Sequence, residues 1–385
     1  MTEKLYYKDS HIHEFEAVVL ECRKEKNAYG LILDKTAFFP EGGGQKADTG
    51  YVGEVRIKDV QEKDGEIIHY CDTPLEEGKC YSCKIDYEQR RRRMQNHSGE
   101  HIVSGITHRL FGYNNVGFHM GDDCMTIDFD GELSKGQLSE IEKLANESVR
   151  ENLPVKAWIP ESQELAEIDY RSKLELSHDV RIVKIAEADC CACCAPHVKN
   201  TGEIGIIKIL EAERHRGGMR ISLVCGMDAL ENYSRVHENN TQISMLLSSK
   251  REDTPKAVER VLNEQTALKE RVAELSMELI KLKAEKYEYT EGNICVFDNV
   301  LDEVALRELV NLLMEKCGGI AAAFSGSDEK GYRYIIGSRN VDLRKNAALI
   351  NSGISGRGGG KESMIQGSAT EKAKNIQNYI NSLFI

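Results

Sequence analysis

The sequence predicts an α+β multidomain protein. We read an N-terminal small β-barrel over residues 1–85, an α/β domain over 86–227, a helical hairpin or coiled coil over 228–286, and a C-terminal α/β domain over 287–385. Three observations predict this. The first 85 residues alternate in short apolar-polar runs broken by turn residues. Histidines and cysteines concentrate in the second segment, notably His97, His101 and the stretch "ADCCACCAPHV" at 188–198. From Val258 onward the apolar residues recur at a strict three-then-four spacing.

At 385 residues the chain is long enough for two or three domains with their own cores. It has no run of 18 apolar residues, and its N-terminus lacks the apolar core of a signal peptide. Twelve cysteines in a chain expected to stay in the cytoplasm point to reduced thiols and metal chemistry rather than a disulfide framework. The net charge of −12, from 51 basic and 63 acidic residues, argues against broad coating of nucleic acid. It leaves room for a local basic stripe. Two exist: Arg90, Arg91, Arg92 and Arg93 in one run, and "ERHRGGMR" at 213–220.

The barrel strands are expected at "EFEAVVLECRK", "AYGLILD", "GYVGEVRIKDVQ", "EIIHYC" and "KCYSCKID", with the glycine-rich "DKTAFFPEGGGQKADTG" between them. In the second segment "QNHSGEHIVSGITHRLFG" has helical periodicity, with Ile102, Ile106 and Leu110 on one face and Gly112 as the stop. Strands follow at "CMTIDFD", "VRIVKIAE" and "IGIIKILEAE", and Ser134 caps a helix beginning "KGQLSEIEK". The heptad seam runs Val258, Val261, Gln265, Leu268, Val272, Leu275, Leu279 and Leu282, behind a first turn at Pro255. The tail alternates strands at "NICVFDNV", "GIAAAFSG" and "YRYIIGS" with helices at 303–316 and 370–383, and carries the loop "SGRGGGKESMIQGSA".

His97 and His101 lie four apart on the predicted helix, so both imidazoles leave one face. Such a pair can hold one zinc through two nitrogens. A metalloprotease would need Glu directly after the first histidine, where this chain has Ser98. Further ligands are at hand in the 188–198 stretch, where Cys193 and His197 are spaced C-x-x-x-H and Cys190/Cys193 and Cys191/Cys194 are each spaced C-x-x-C. A ribbon from Cys80, Cys83 and one later C-x-x-C pair competes, although it would leave His97, His101 and His197 unused.

"HSGEH", "CCAPHVKNTGEIG" and "TAFFPEGGGQKADTG" together resemble the editing domain of alanyl-tRNA synthetase, and still more the free-standing alanyl-tRNA editing proteins called AlaX. The heptad segment and the tail with "GRGGGKESMIQGSA" resemble the DHH-associated C-terminal domain of the synthetase, which suggests the long AlaX form. The resemblance implies one zinc held by His97, His101, Cys193 and His197. It departs from the common C-G-G-T-H pattern at Cys194, Ala195 and Pro196, and gives Cys190, Cys191 and Cys194 no role.

It further implies a zinc-dependent deacylase acting in trans on mischarged tRNA(Ala), with seryl- and glycyl-tRNA(Ala) as substrates. A pocket sized for alanine cannot strongly reject a smaller or hydroxylated analogue, so a second sieve is needed. Gly42, Gly43, Gly44 and Gln45 would line the editing pocket, and Thr36 would face the amino-acid side chain. Glycines admit a close backbone approach, and a glutamine both donates and accepts. The alternative is a zinc-structured tRNA-binding protein without catalysis. The partners expected are the tRNA(Ala) acceptor end, met in part by Arg90 to Arg93, and a second copy of the chain through the heptad seam.

Overall fold

The computed structural model describes residues 2–25, 28–121, 123–172 and 180–383. The chain divides into two compact units, Met1–Thr241 and Gln242–Ile385. None of the described helices is long and apolar enough to cross a membrane.

The barrel of the first unit has six strands: β1 (Glu14–Lys24), β2 (Tyr29–Leu33), β3 (Gly50–Val52), β4 (Val55–Lys63), β5 (Glu66–Cys71) and β6 (Cys80–Ile85). They pair in the order β1-β2-β5-β4-β3-β6, and β6 pairs back onto β1, so the ring closes. Alternation along each strand turns one set of side chains inward. Val19, Leu31, Leu33, Val52, Ile57, Val60, Ile67, Cys83 and Ile85 fill the interior with Phe38 and Phe39. Cys80, three positions from Cys83 on β6, points the other way into solvent. The ribbon pair is therefore split across the barrel wall.

Helix α1 (Tyr87–Phe111) leaves the barrel directly and takes in the whole arginine run. It ends at Gly112, whose φ of 73° is the left-handed stop expected there. Ile102 and Ile106 are buried as anticipated, whereas Leu110, in the last turn, is 40% exposed. Then come β7 (Asn115–Met120), β8 (Met125–Phe129), α2 (Lys135–Arg150), β9 (Val155–Trp158), β10 (Ile182–Ile185), β11 (Asp189–Ala192), β12 (Ile207–His215) and β13 (Gly218–Cys225). A capping box between Ser134 and Gln137 starts α2. The strands form two sheets, β12-β13-β8-β7 and β9-β10-β11. The second basic run, 213–220, is the β12–β13 hairpin, where Arg220 pairs with Asp128 at 2.7 Å and Arg214 with Glu132 at 3.0 Å.

Helix α3 (Gly226–Leu246) is followed by α4 (Thr254–Glu285), with Pro255 in its first turn. Along α4 the heptad residues Leu268, Val272 and Leu282 stay exposed, at 65%, 62% and 59%. The last part of the chain is β14 (Ile294–Phe297), α5 (Glu303–Leu313), β15 (Ala321–Ser327), β16 (Gly331–Gly337), α6 (Leu343–Gly353), β17 (Gly356–Gly360), β18 (Met364–Ala369) and α7 (Ala373–Ser382). Its sheet runs β14-β15-β16-β18-β17. One face packs on α6 and α7, and the other on α5 and the end of α4.

Candidate metal centre

His97, His101, Cys193 and His197 come together inside the first unit, each offering one ligand atom within 4.8 Å of the others. The two histidines sit one turn apart on α1, and Cys193 and His197 lie on the loop that follows β11. Cys193 Sγ is 3.5 Å from His97 Nε2 and 3.4 Å from His197 Nε2. Zinc–nitrogen and zinc–sulfur bonds in a tetrahedral shell put nitrogen and sulfur about 3.5 Å apart. The donor set and its spacing fit zinc. Burial would raise the Cys193 thiol, but the three imidazoles around it overcome this and hold it well below its ordinary value, ready as a thiolate.

The other nitrogen of the ring explains why His97 and His101 present Nε2. His97 Nδ1 lies 3.1 Å from Gln45 Oε1, His101 Nδ1 2.9 Å from Asp189 Oδ2, and His197 Nδ1 3.0 Å from Ser98 Oγ. An amide oxygen and a carboxylate only accept, so Nδ1 carries the proton in His97 and His101 and Nε2 is left as a metal donor. Burial lowers the proton affinity of His101, but Asp189, Cys193, Glu100 and Cys191 together outweigh it and the ring ends well above its ordinary value. His197 is dominated by burial and falls to about 3.

The ligand loop is fixed from behind by Arg181. Its guanidinium donates to the carbonyls of Cys193 and Ala195, both at 2.9 Å, and stacks over Tyr7 at 4.9 Å. Ala195 packs into the barrel interior, while Cys193 touches both the barrel and the α1 cores. The loop thus pins one domain core to the other.

Gln45 reaches the site through the glycine run. Gly42 and Gln45 exchange backbone hydrogen bonds of 3.1 and 3.0 Å, closing a two-residue turn on Gly43 and Gly44. Their φ values of 61° and 80° are those of a type I′ turn. A side chain on Gly44 would also meet Phe118 at 2.7 Å. Gln45 Nε2 is buried and has no hydrogen-bond partner among the described residues. Cys194 lies over this turn, its sulfur 3.3 Å from where a Cβ on Gly43 would be.

Two expectations need correction. Thr36 is fully buried; it shares a 2.8 Å hydrogen bond with His69 Nε2 and accepts one from the Phe38 N–H at 3.1 Å. Because His69 Nδ1 faces the Leu31 carbonyl at 3.1 Å, the Thr36 proton goes to His69, leaving it no proton for a ligand. Arg90 is no RNA contact: it is fully buried, bonded to Asp48 at 2.9 Å and to the Ala37 carbonyl at 2.6 Å. Arg92 pairs with Asp228 and Glu231, Arg93 donates to the Ala47 carbonyl, and Arg91 reaches Glu88. Arg90, Arg92 and Arg93 are ties within the first unit, and Arg91 makes an exposed pair one turn away on its own helix.

Sequence reasoning missed Asp189, Ser98, Arg171 and Arg181. Asp189 and Ser98 stood inside the quoted motifs, so their place beside the ligands was visible. Nothing in the sequence marks the two arginines.

Residues 180–222 match the threonyl and alanyl tRNA synthetase second additional domain, residues 2–89 the class II (A) tRNA synthetases, and residues 291–384 the DHHA1 domain. The alanyl-tRNA editing protein AlaX-L of Pyrococcus horikoshii is 28% identical, over 98% of this chain and 96% of its own. The alanine–tRNA ligases of Pyrococcus abyssi and Natronomonas pharaonis are 33% and 32% identical, over 97% and 93% of this chain. The chain spans only 42% and 40% of those ligases. Over nearly its whole length, then, the chain resembles the alanyl-tRNA editing protein AlaX-L, with the domain order of the alanyl-tRNA synthetase family.

Proposed function

We propose that the protein is a trans-acting hydrolase that removes wrongly attached amino acids from tRNA(Ala), cleaving the ester of seryl- and glycyl-tRNA(Ala) in the cytoplasm. The observation that carries this is Gln45: its Oε1 is held against His97, so its unpartnered Nε2 is a buried donor beside the ligand cluster. A buried donor without a partner is costly unless a ligand completes it. An ester carbonyl, gaining charge as it becomes tetrahedral, is the acceptor that chemistry would supply.

His97, His101, Cys193 and His197 are the residues that would hold zinc, which when bound can polarise a carbonyl or anchor the substrate. The type I′ turn at Gly43 and Gly44 sets the reach of Gln45, and Arg181 keeps the Cys193 carbonyl and hence its side chain in register. A set of four protein ligands also suits a purely structural metal, which favours the non-catalytic alternative. The orphaned Gln45 donor favours catalysis, since a structural site has no use for it.

For the tRNA body we assign the groove of about 940 Å³ in the second unit. Arg333 and Arg357 line it in one cross-strand row with Ser325 and Ser368. With Lys330 they have no ion-pair partner among the described residues, as phosphate contacts require. A second copy is the partner we assign to the exposed α4 seam. The test is deacylation of seryl-tRNA(Ala) by purified zinc-loaded protein. Hydrolysis no faster than in buffer would overturn the enzyme reading and leave the structural one.

A further inference from the structure

Of the three histidines, only His101 has a charged partner on its second nitrogen among the described residues. His97 faces a neutral amide and His197 a neutral hydroxyl, whereas His101 Nδ1 lies 2.9 Å from the Asp189 carboxylate. Asp189 is itself held in place. Arg171 Nε reaches Oδ1 at 2.8 Å and a terminal nitrogen reaches Oδ2 at 2.9 Å, a two-point clamp that fixes the plane of the carboxylate. The Arg171 backbone is stitched to the same strand: its N–H donates to the Cys190 carbonyl at 2.8 Å, and its carbonyl accepts from Ala192 at 2.9 Å.

The packing brings α1 down onto this point. Gly105 leaves no room for a Cβ, which would run into the Ala188 carbonyl and the Asp189 side chain. The side chain of Asp189 is 2% exposed, so its charge acts on His101 with little screening by water. Glu100 also approaches His101, at 3.8 Å from Nε2, but that exceeds hydrogen-bond reach and its other oxygen is held by Ser104 and Asn115. Asp189 is the acid bonded to the ring.

We infer that Asp189, clamped by Arg171, is the positioning residue of the metal centre: it fixes the His101 ring with Nε2 inward and makes that nitrogen the strongest donor of the three histidines. The inference rests on the metal reading of His97, His101, Cys193 and His197. Partners of this kind typically change metal affinity 10- to 100-fold when removed.

The test uses the full chain, with zinc affinity measured by chelator competition and cobalt uptake followed by its absorption. Asp189→Asn is expected to weaken zinc binding about tenfold or more, and Asp189→Ala at the upper end of that range. Both should keep the thiolate-to-cobalt band of Cys193, showing a site still assembled. Arg171→Gln removes the same ion pair but leaves the charge on His101, so its loss should be several-fold smaller. Zinc affinity in Asp189→Asn within twofold of the wild type would overturn the inference. So would equal losses in Asp189→Asn and Arg171→Gln, or loss of the cobalt band in Asp189→Asn, because each would make the pair merely structural. A wild-type chain that takes up no zinc, or a Cys193→Ser chain that keeps it, would instead overturn the metal reading beneath.

Discussion

Gln45 Oε1 lies 3.1 Å from His97 Nδ1, across 52 residues of sequence, while the nitrogen of the same amide has no partner among the described residues. One side chain therefore joins the glycine turn of the barrel to a histidine of the α1 cluster. Its two ends can be separated by substitution. Gln45→Glu keeps an acceptor for His97 and deletes the donor, so zinc content should stay near the wild type. Deacylation of seryl-tRNA(Ala) should fall by about 10²- to 10³-fold, the usual cost of losing one donor to a developing oxyanion. Gln45→Ala should lower both. Single-turnover deacylation beside metal analysis checks this, and full activity in Gln45→Glu would remove the amide from the reaction.

Cys193 is the only cysteine of its stretch within the ligand cluster of His97, His101 and His197. Cys193→Ala should lower zinc content and deacylation together. Cys194→Ala should change neither, because that sulfur lies over Gly42 and Gly43 at the start of the glycine turn instead. Cys191→Ala should also leave zinc in place: Cys191 groups with His101 and Asp189, not with the His97, His101, Cys193 and His197 cluster. Metal analysis of the three purified variants decides it, and a full complement of zinc in Cys193→Ala would overturn the ligand assignment.

The grouping of His97, His101, Cys193 and His197 was legible because their spacing is local: four residues on a helix, and four along a loop. The residues that orient them were not, because they arrive from elsewhere in the chain. Gln45 comes from the barrel and Arg171 from the segment before β10, and no periodicity links either to α1. The arginine run misled for a related reason. Four adjacent cations read as a stripe, but successive helical positions turn by about 100°, so each arginine meets a different neighbour. Of the elements, long periodic ones such as α1 and α2 were readable. The four-residue β11, built from Asp, two Cys and Ala, carried no strand pattern at all.

Arg90 and Asp48 form a fully buried ion pair, at 0% and 1% side-chain exposure, that ties α1 to the barrel. Truncating one partner leaves the other charge buried and alone, which costs about 3–5 kcal/mol. Arg90→Ala should therefore lower stability by that amount in denaturant titration. Arg91→Ala, at a side chain 41% exposed, should stay within about 0.5 kcal/mol of the wild type. A mild effect of Arg90→Ala on stability, with a large one on tRNA affinity, would restore the RNA-contact reading.

His69 gives the fold a defined acid sensitivity. Burial lowers it to about 4, well below the ordinary imidazole value of 6.5, and its nitrogens face Thr36 and the Leu31 carbonyl inside the barrel. The ring folds neutral, so the unfolded chain binds the extra proton first. Stability from this group is complete above about pH 6.5 and is lost as the pH falls toward about 4. The loss across that window is about 3 kcal/mol, since a tenfold change in proton affinity is worth ~1.4 kcal/mol. His69→Gln can still bridge Thr36 and Leu31 but does not titrate, so it should lose less stability over that window. Acid release of a bound metal affects both proteins alike and cancels in the comparison. Parallel stability curves for the two proteins between pH 7 and 4 would show that His69 does not set the acid limit of the barrel.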